Sequence, residues 1–193
     1  MENSVKISGL SFSYGEKKIF DSLDLVIPAE GITAVSGASG CGKTTLLRMI
    51  AGLEKADCGQ IEAPPSEEIA FMFQEDRLLP GVTAAKQLKI AVPDCDASRW
   101  LETVGLKGEE KTLPDKLSGG MRRRLALART LCFSKGKKLV ILDEPFAGVD
   151  PARIRELMPL IRKLDIPVIM SAHTEEALAL ADRVLELRPV SSS

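Results

Sequence analysis

A parallel β-sheet flanked by helices, the α/β class, is what this sequence predicts, and three observations carry that expectation. Beyond Leu117 the chain alternates helix, strand, helix, strand, helix, strand. Ile32-Thr33-Ala34-Val35 and Leu139-Val140-Ile141-Leu142 are short, mainly apolar runs of the kind buried inside a sheet. A glycine-rich stretch links the first of these runs to a helix-forming segment.

The elements follow in order. Val5-Lys6-Ile7 and Leu23-Asp24-Leu25-Val26-Ile27 alternate with the two-residue period of strands, and Ser13-Tyr14-Gly15 carries turn chemistry between them. Thr45-Leu46-Leu47-Arg48-Met49-Ile50-Ala51 reads as a helix stopped by Gly52. Ile69-Ala70-Phe71-Met72-Phe73 reads as a further strand. From Thr83 to Leu117 the pattern is helical but broken, with Pro93 and Pro114 as punctuation, as in a helical insertion. One domain is expected over residues 1–193, with residues 1–82 and 134–193 as the core and 83–133 as the helical part. The tail Pro189-Val190-Ser191-Ser192-Ser193 is expected to fray.

Composition narrows the function. The 193 residues are 45% hydrophobic and 27% charged, as in a globular protein. The 26 basic and 27 acidic side chains leave a net charge of −1, without the basic excess that sequence-independent nucleic-acid binding requires. No apolar run approaches the roughly 18 residues of a membrane span. Met1-Glu2-Asn3-Ser4 does not begin a signal peptide, so a membrane role is expected only through a partner. Cys41, Cys58, Cys95 and Cys132 form no C-x-x-C pair; zinc is not expected, and the cytosol is the natural compartment. Cys41 reads as a small space-filling residue rather than a reactive thiol.

Gly37-Ala38-Ser39-Gly40-Cys41-Gly42-Lys43-Thr44 fits G-x-x-x-x-G-K-[ST] between a strand and a helix, the context of a phosphate-binding loop. Glycines let backbone N–H groups curl around phosphate oxygens, and the helix N-terminus adds positive potential. Lys43 is expected to reach the β- and γ-phosphates, and the Thr44 hydroxyl to ligate Mg²⁺. The strand Leu139-Val140-Ile141-Leu142 ends in Asp143-Glu144, at the edge where open α/β sheets place ligands. Asp143 suits a Mg²⁺-holding role, and Glu144 the polarisation of an attacking water.

A second anion site is expected where Leu117-Ser118-Gly119-Gly120-Met121 opens a helix continuing through Arg129. Ser118 is a good N-cap, and the glycines leave the first N–H groups accessible. The core stripe is expected at Met121, Leu125, Ala128 and Cys132. Arg122, Arg123 and Arg124 oppose the helix dipole; they mark either an acidic neighbour or a solvated basic face. One phosphate cluster does not need two helix N-termini from one chain. Ser118 and its glycines therefore point to the nucleotide of a second copy.

Taken together, these residues resemble the ABC (ATP-binding cassette) ATPases over nearly the whole chain. Leu117-Ser118-Gly119-Gly120-Met121 is similar to the family's signature sequence, and it stands between the phosphate loop and Leu142-Asp143-Glu144-Pro145 in the family order. The resemblance implies a P-loop NTPase sheet flanked by helices, with an N-terminal antiparallel β subdomain and a short helical insertion. It implies ATP and Mg²⁺ as ligands and hydrolysis at composite sites of a cassette pair. It also implies a separate membrane permease partner and a place at the inner face of the cell membrane. The implied nucleotide set is Tyr14, stacked on adenine, with Gly37, Ala38, Ser39, Gly40, Cys41, Gly42, Lys43, Thr44 and Thr45, and Ser118, Gly119 and Gly120 from the partner. Thr44, Gln74 and Asp143 are the implied metal ligands, and Glu144, Gln74 and His173 the catalytic set. His173, the single histidine, lies 30 positions after Asp143 behind Val168-Ile169-Met170-Ser171. Phe146-Ala147-Gly148-Val149-Asp150 resembles the D-loop that crosses between subunits.

Within the family, Phe73-Gln74-Glu75-Asp76-Arg77-Leu78-Leu79-Pro80 resembles importers for nitrate, sulfonate and taurine; residues 74–78 are expected to face the membrane partner. Three features depart from the usual pattern: Gly148-Val149 in the D-loop, Thr174 after His173, and only 43 residues between Gln74 and Ser118. Other readings explain less. A P-loop kinase leaves Ser118-Gly119-Gly120 and Glu144 without a task. A soluble DNA- or ribosome-directed cassette protein typically carries two cassettes or a long coiled coil. A module that no longer hydrolyses would not need Glu144, Gln74 and His173 together.

Overall fold

In the computed structural model, which describes residues 5–190, two sheets share the work. The first is antiparallel, ordered β2-β1-β4, from β1 (Val5–Tyr14), β2 (Lys17–Ile27) and β4 (Cys58–Glu62). The second is parallel, ordered β5-β6-β7-β3-β8, from β3 (Ile32–Ser36), β5 (Ile69–Met72), β6 (Leu139–Leu142), β7 (Val168–Ser171) and β8 (Arg183–Glu186). The helices are α1 (Lys43–Ile50), α2 (Ala84–Ala91), α3 (Ala97–Thr103), α4 (Gly119–Phe133), α5 (Pro151–Arg162) and α6 (Glu175–Ala179). Ser191–Ser193, where fraying was expected, and Met1–Ser4 lie outside the described residues.

The alternation of side chains along each parallel strand divides the core in two. Ala34, Ala70, Met72, Val140, Leu142 and Met170 face a layer of helices that includes Leu88, Leu101, Leu125 and Ile154. Their neighbours Val35, Ile69, Ile141 and Ile169 face the other way, onto α1 and the antiparallel sheet. Both faces are covered, which is why these strands read as continuous apolar runs. The turn of the first hairpin falls one step later than expected: Ser13 and Tyr14 belong to β1, and the turn is Gly15-Glu16. Gly52 ends the first helix with φ +70°, a conformation that costs glycine little.

On α4 the expected stripe is present, with Leu125, Ala128 and Cys132 buried and Met121 packed against the core. Ala126, Leu127, Thr130 and Leu131 are buried as well, so the helix is enclosed over most of its circumference. Burial and the neighbouring Cys95 push the Cys132 thiol well above its usual range, so it stays protonated as a packing residue.

Candidate active site

Four strands of the parallel sheet deliver their C-terminal ends to one edge. Ser36 of β3 leads into the glycine loop, Met72 of β5 to Gln74, Leu142 of β6 to Asp143 and Glu144, and Ser171 of β7 to His173. They surround a cleft of about 650 Å³. Gly37, Ser39, Gly40, Gly42, Lys43, Thr44 and Thr45 form one wall, Gln74, Glu144 and His173 another, and Tyr14 with Lys17 the outer rim.

The glycine loop holds its shape for local steric reasons. A Cβ at Gly37 (φ +142°) would lie 2.4 Å from the Leu187 carbonyl, and one at Gly42 (φ +101°) 2.6 Å from Ile19 Cγ2. Any side chain at either position would displace β2 or the segment after β8. Lys43 Nζ donates to the carbonyls of Gly37 (2.8 Å) and Ala38 (3.1 Å), which sets its ammonium across the loop. Ala38 is exposed, whereas Cys41 is buried at 3% exposure with its sulfur against Gly37; it fills space, as its surroundings in the sequence suggest.

Beneath the loop, Asp143 is 1% exposed. Its Oδ1 accepts from Thr44 Oγ1 (3.2 Å) and from Ser171 Oγ (2.7 Å), while buried Oδ2 has no partner among the described residues. A buried carboxylate oxygen without a donor is costly unless a cation or its water meets it. The Asp143–Thr44 pair, an acidic oxygen beside a hydroxyl, therefore fits a hard cation such as Mg²⁺. Among the described residues no three His, Cys, Asp or Glu side chains converge on a metal. A Mg²⁺ there would have to draw further ligands from phosphate and water, which is its habit.

Glu144 follows with φ +49°, a region that non-glycine residues rarely adopt. Both sides of it are held. Its N–H donates to Ser171 Oγ at 2.7 Å, and its carbonyl accepts from Arg123 Nε at 2.9 Å. Tyr14 is 48% exposed; its ring meets Phe12 edge-on with centroids 4.7 Å apart, and its hydroxyl donates to Glu54. The half-exposed ring at the cleft rim is placed to meet a flat ligand.

Ser118, Gly119 and Gly120 do not line this cleft. Ser118 caps α4, accepting from the Met121 N–H at 3.3 Å. A Cβ on Gly119 would find only Arg122 Nη2, at 3.9 Å, so the first turn is open. Gly120 is glycine for another reason: its Cβ would lie 2.8 Å from the Gly148 carbonyl, so α4 sits directly on the segment after Glu144.

The arginines of α4 resolve the choice between acidic neighbour and solvated face. Arg122 Nε stands 3.8 Å from Asp76, and Arg123, 3% exposed, is 3.1 Å from the same carboxylate. Arg124 donates to the carbonyls of Val104 and Gly105, and Arg129 to those of Asp76 and Arg77. Burial pulls Arg129 below its ordinary value, with Asp76 opposing. Of residues 74–78, Gln74, Glu75 and Arg77 are exposed, whereas Asp76 and Leu78 are partly buried. Beside them, Phe71, Phe73, Arg77, Ala91, Arg129 and Phe133 line a groove of about 270 Å³.

Arg123 and Ser171 are participants that motif reading missed. Ser171 holds both Asp143 and Glu144, yet in the sequence it is one polar residue ending an apolar run. The only available signal was its position at the end of a strand leading to His173.

Comparison with known proteins agrees with this geometry. The family described as ABC transporter matches residues 20–147. The chain is 42% identical to the aliphatic sulfonates import ATP-binding protein SsuB 3 of Paraburkholderia xenovorans (strain LB400), over 96% of this chain and 77% of that protein. It is 35% identical to SsuB 1 of Shouchella clausii (strain KSM-K16), over 94% and 76%. The dimeric post-hydrolysis structure of the ATP-binding cassette MJ0796 bound to ADP and Pi superposes with a TM-score of 0.84 at 23% identity, covering 95% of this chain and 94% of that one. On the strength of the family match and these relatives, the chain belongs to the ABC transporter family, among its ATP-binding proteins.

Proposed function

We propose that this protein binds Mg·ATP in the cleft at the C-terminal edge of its parallel sheet and hydrolyses it as one of a pair of cassettes, driving import through a separate membrane permease. The observation that supports this best is the meeting of the phosphate loop, Asp143, Glu144, Gln74 and His173 at one edge from four strands. The relatives named as sulfonate importers favour a sulfonate-like cargo.

Each side chain has a task in this reading. The loop N–H groups of residues 37–44, Lys43 and Thr45 cradle the phosphates, and Tyr14 offers its ring to adenine. Thr44, Asp143 and Gln74 would hold Mg²⁺, which supplies neutralisation of phosphate charge. Glu144 takes the proton of the attacking water, and His173 and Gln74 orient the γ-phosphate and that water. Ser118, Gly119 and Gly120 present an open helix N-terminus to the nucleotide of the second copy. Residues 83–133 act as a helical subdomain beside a core of 1–82 and 134–193. Among the described residues no helix is long and apolar enough to cross a membrane. In this reading the protein works at the inner face of the membrane through its permease partner.

The test is Lys43→Ala. Without its ammonium the loop loses its main counter-charge, and ATP affinity is expected to fall beyond detection in equilibrium dialysis. Affinity within a few-fold of the unaltered chain would refute the assignment. The permease contact has its own test. The groove beside Phe133 and the exposed Glu75 and Arg77 form the surface we assign to it. Cysteine cross-linkers at positions 75 and 77 should capture the permease in the native complex, whereas position 76, tied to α4, should not. Capture from 76 alone would reverse the assignment.

A further inference from the structure

We propose that Arg123 is a positioning residue for hydrolysis: its guanidinium clamps the carbonyls that end β5 and β6, and so sets the Glu144 carboxylate and the Gln74 amide in register. The inference rests on the proposed ATPase site and adds a residue to it.

The geometry is specific. Nε donates to the Glu144 carbonyl (2.9 Å), Nη1 to those of Phe73 and Gln74 (2.9 Å each), and Nη2 to that of Asp143. Nη1 also meets Asp76 Oδ1 at 3.1 Å. Four carbonyls from two neighbouring strand ends thus converge on one planar fork of donors, which only arginine supplies with five N–H groups. The cation is 3% exposed, and Asp76 is the carboxylate against it.

What these carbonyls belong to gives the clamp a function. Glu144 is at φ +49°, a strained conformation that persists only where its surroundings hold it. Ser171 secures its N–H and Arg123 its C=O, so the peptide cannot relax while both hold. The same guanidinium fixes Phe73 and Gln74, which carry the other water-orienting group. Arg123 stands on the first turns of α4, whose N-terminus is assigned to the partner's nucleotide. A displacement of α4 therefore moves both catalytic groups of its own chain.

The experiment uses the full chain with Arg123→Met, which keeps the apolar stem, Arg123→Gln, which keeps two amide donors without charge, and Arg123→Lys, which keeps charge as a single point donor. The readouts are ATP affinity with a fluorescent analogue, kcat and KM, and the thermal midpoint. A clamp predicts that Arg123→Met lowers kcat about 10- to 100-fold with affinity nearly unchanged. It also predicts that Arg123→Gln recovers more kcat than Arg123→Lys, because two donors can still bridge carbonyls. A purely structural role would shift the midpoint and leave the kcat of folded protein alone. The proposal is overturned if folded Arg123→Met keeps kcat within about twofold, or if lysine rescues and glutamine does not; the latter comparison decides if the methionine variant fails to fold. Failure of the underlying reading looks different: the unaltered chain would release no phosphate from ATP, or Glu144→Gln would be without effect.

Discussion

Glu144→Gln is expected to keep ATP binding and to slow turnover by about 10² to 10⁴-fold, the usual share of a general base. The two holds on residue 144 are backbone bonds, to Ser171 and from Arg123, so the amide side chain inherits the same placement. The substitution removes a basic oxygen and leaves the shape. Since a nucleotide that is bound but not cleaved continues to join two cassettes, the variant should also accumulate as a dimer when ATP is added. Phosphate release and light scattering measure the two effects on one sample. Normal hydrolysis in this variant would take Glu144 out of the mechanism.

Gly119→Asp is expected to abolish hydrolysis while leaving the monomer folded and able to bind ATP. A Cβ at position 119 meets only Arg122 Nη2 at 3.9 Å, so the chain has room for it. A carboxylate in the first turn suits the helix dipole and can pair with Arg122, so the thermal midpoint should hold or rise. The same negative charge stands where a γ-phosphate from the second copy must come, and losing one such site costs on the order of 10²-fold or more. Mixing sharpens the result. Lys43→Ala and Gly119→Asp are each inactive as self-pairs, but a mixed pair retains one composite site free of both lesions. Recovery of phosphate release on mixing supports the shared site; full activity of Gly119→Asp alone would show that this stretch is an ordinary helix cap.

The parts of the site that were legible in the sequence are those whose chemistry is written in consecutive residues. The loop from Gly37 to Thr44, the pair Asp143-Glu144 and the cap at Ser118 each carry their own geometry, and a buried strand or helix beside them confirms the setting. What stayed illegible depends on distant partners. Cys58–Glu62 shows no apolar alternation and only Ile61 is partly buried; it becomes a strand because β1 offers it an edge. Arg123 sits in a run of three arginines, which reads equally as a solvated face or as the mark of an acidic neighbour; its acceptors lie 20 to 50 residues away. An arginine that enters a protein interior carries no local mark of doing so, so the sequence could not say which of the three turns inward.

The contact between Gly37 and Leu187 bears on the order in which the protein can mature. In the finished fold the Leu187 carbonyl covers Gly37, with the Leu187 N–H donating to the Ser36 carbonyl and β8 paired beside β3. Those partners are about 150 residues apart, and contacts of such sequence separation form late because loop closure must precede them. During synthesis the loop is translated early, yet its final wall emerges only after the whole helical segment and all four strands that follow β3 in the parallel sheet. Nucleotide binding then acts as a seal on completed folding: a ribosome-bound chain halted before residue 187 should remain indifferent to ATP, and the finished one should be made more resistant to proteolysis by it.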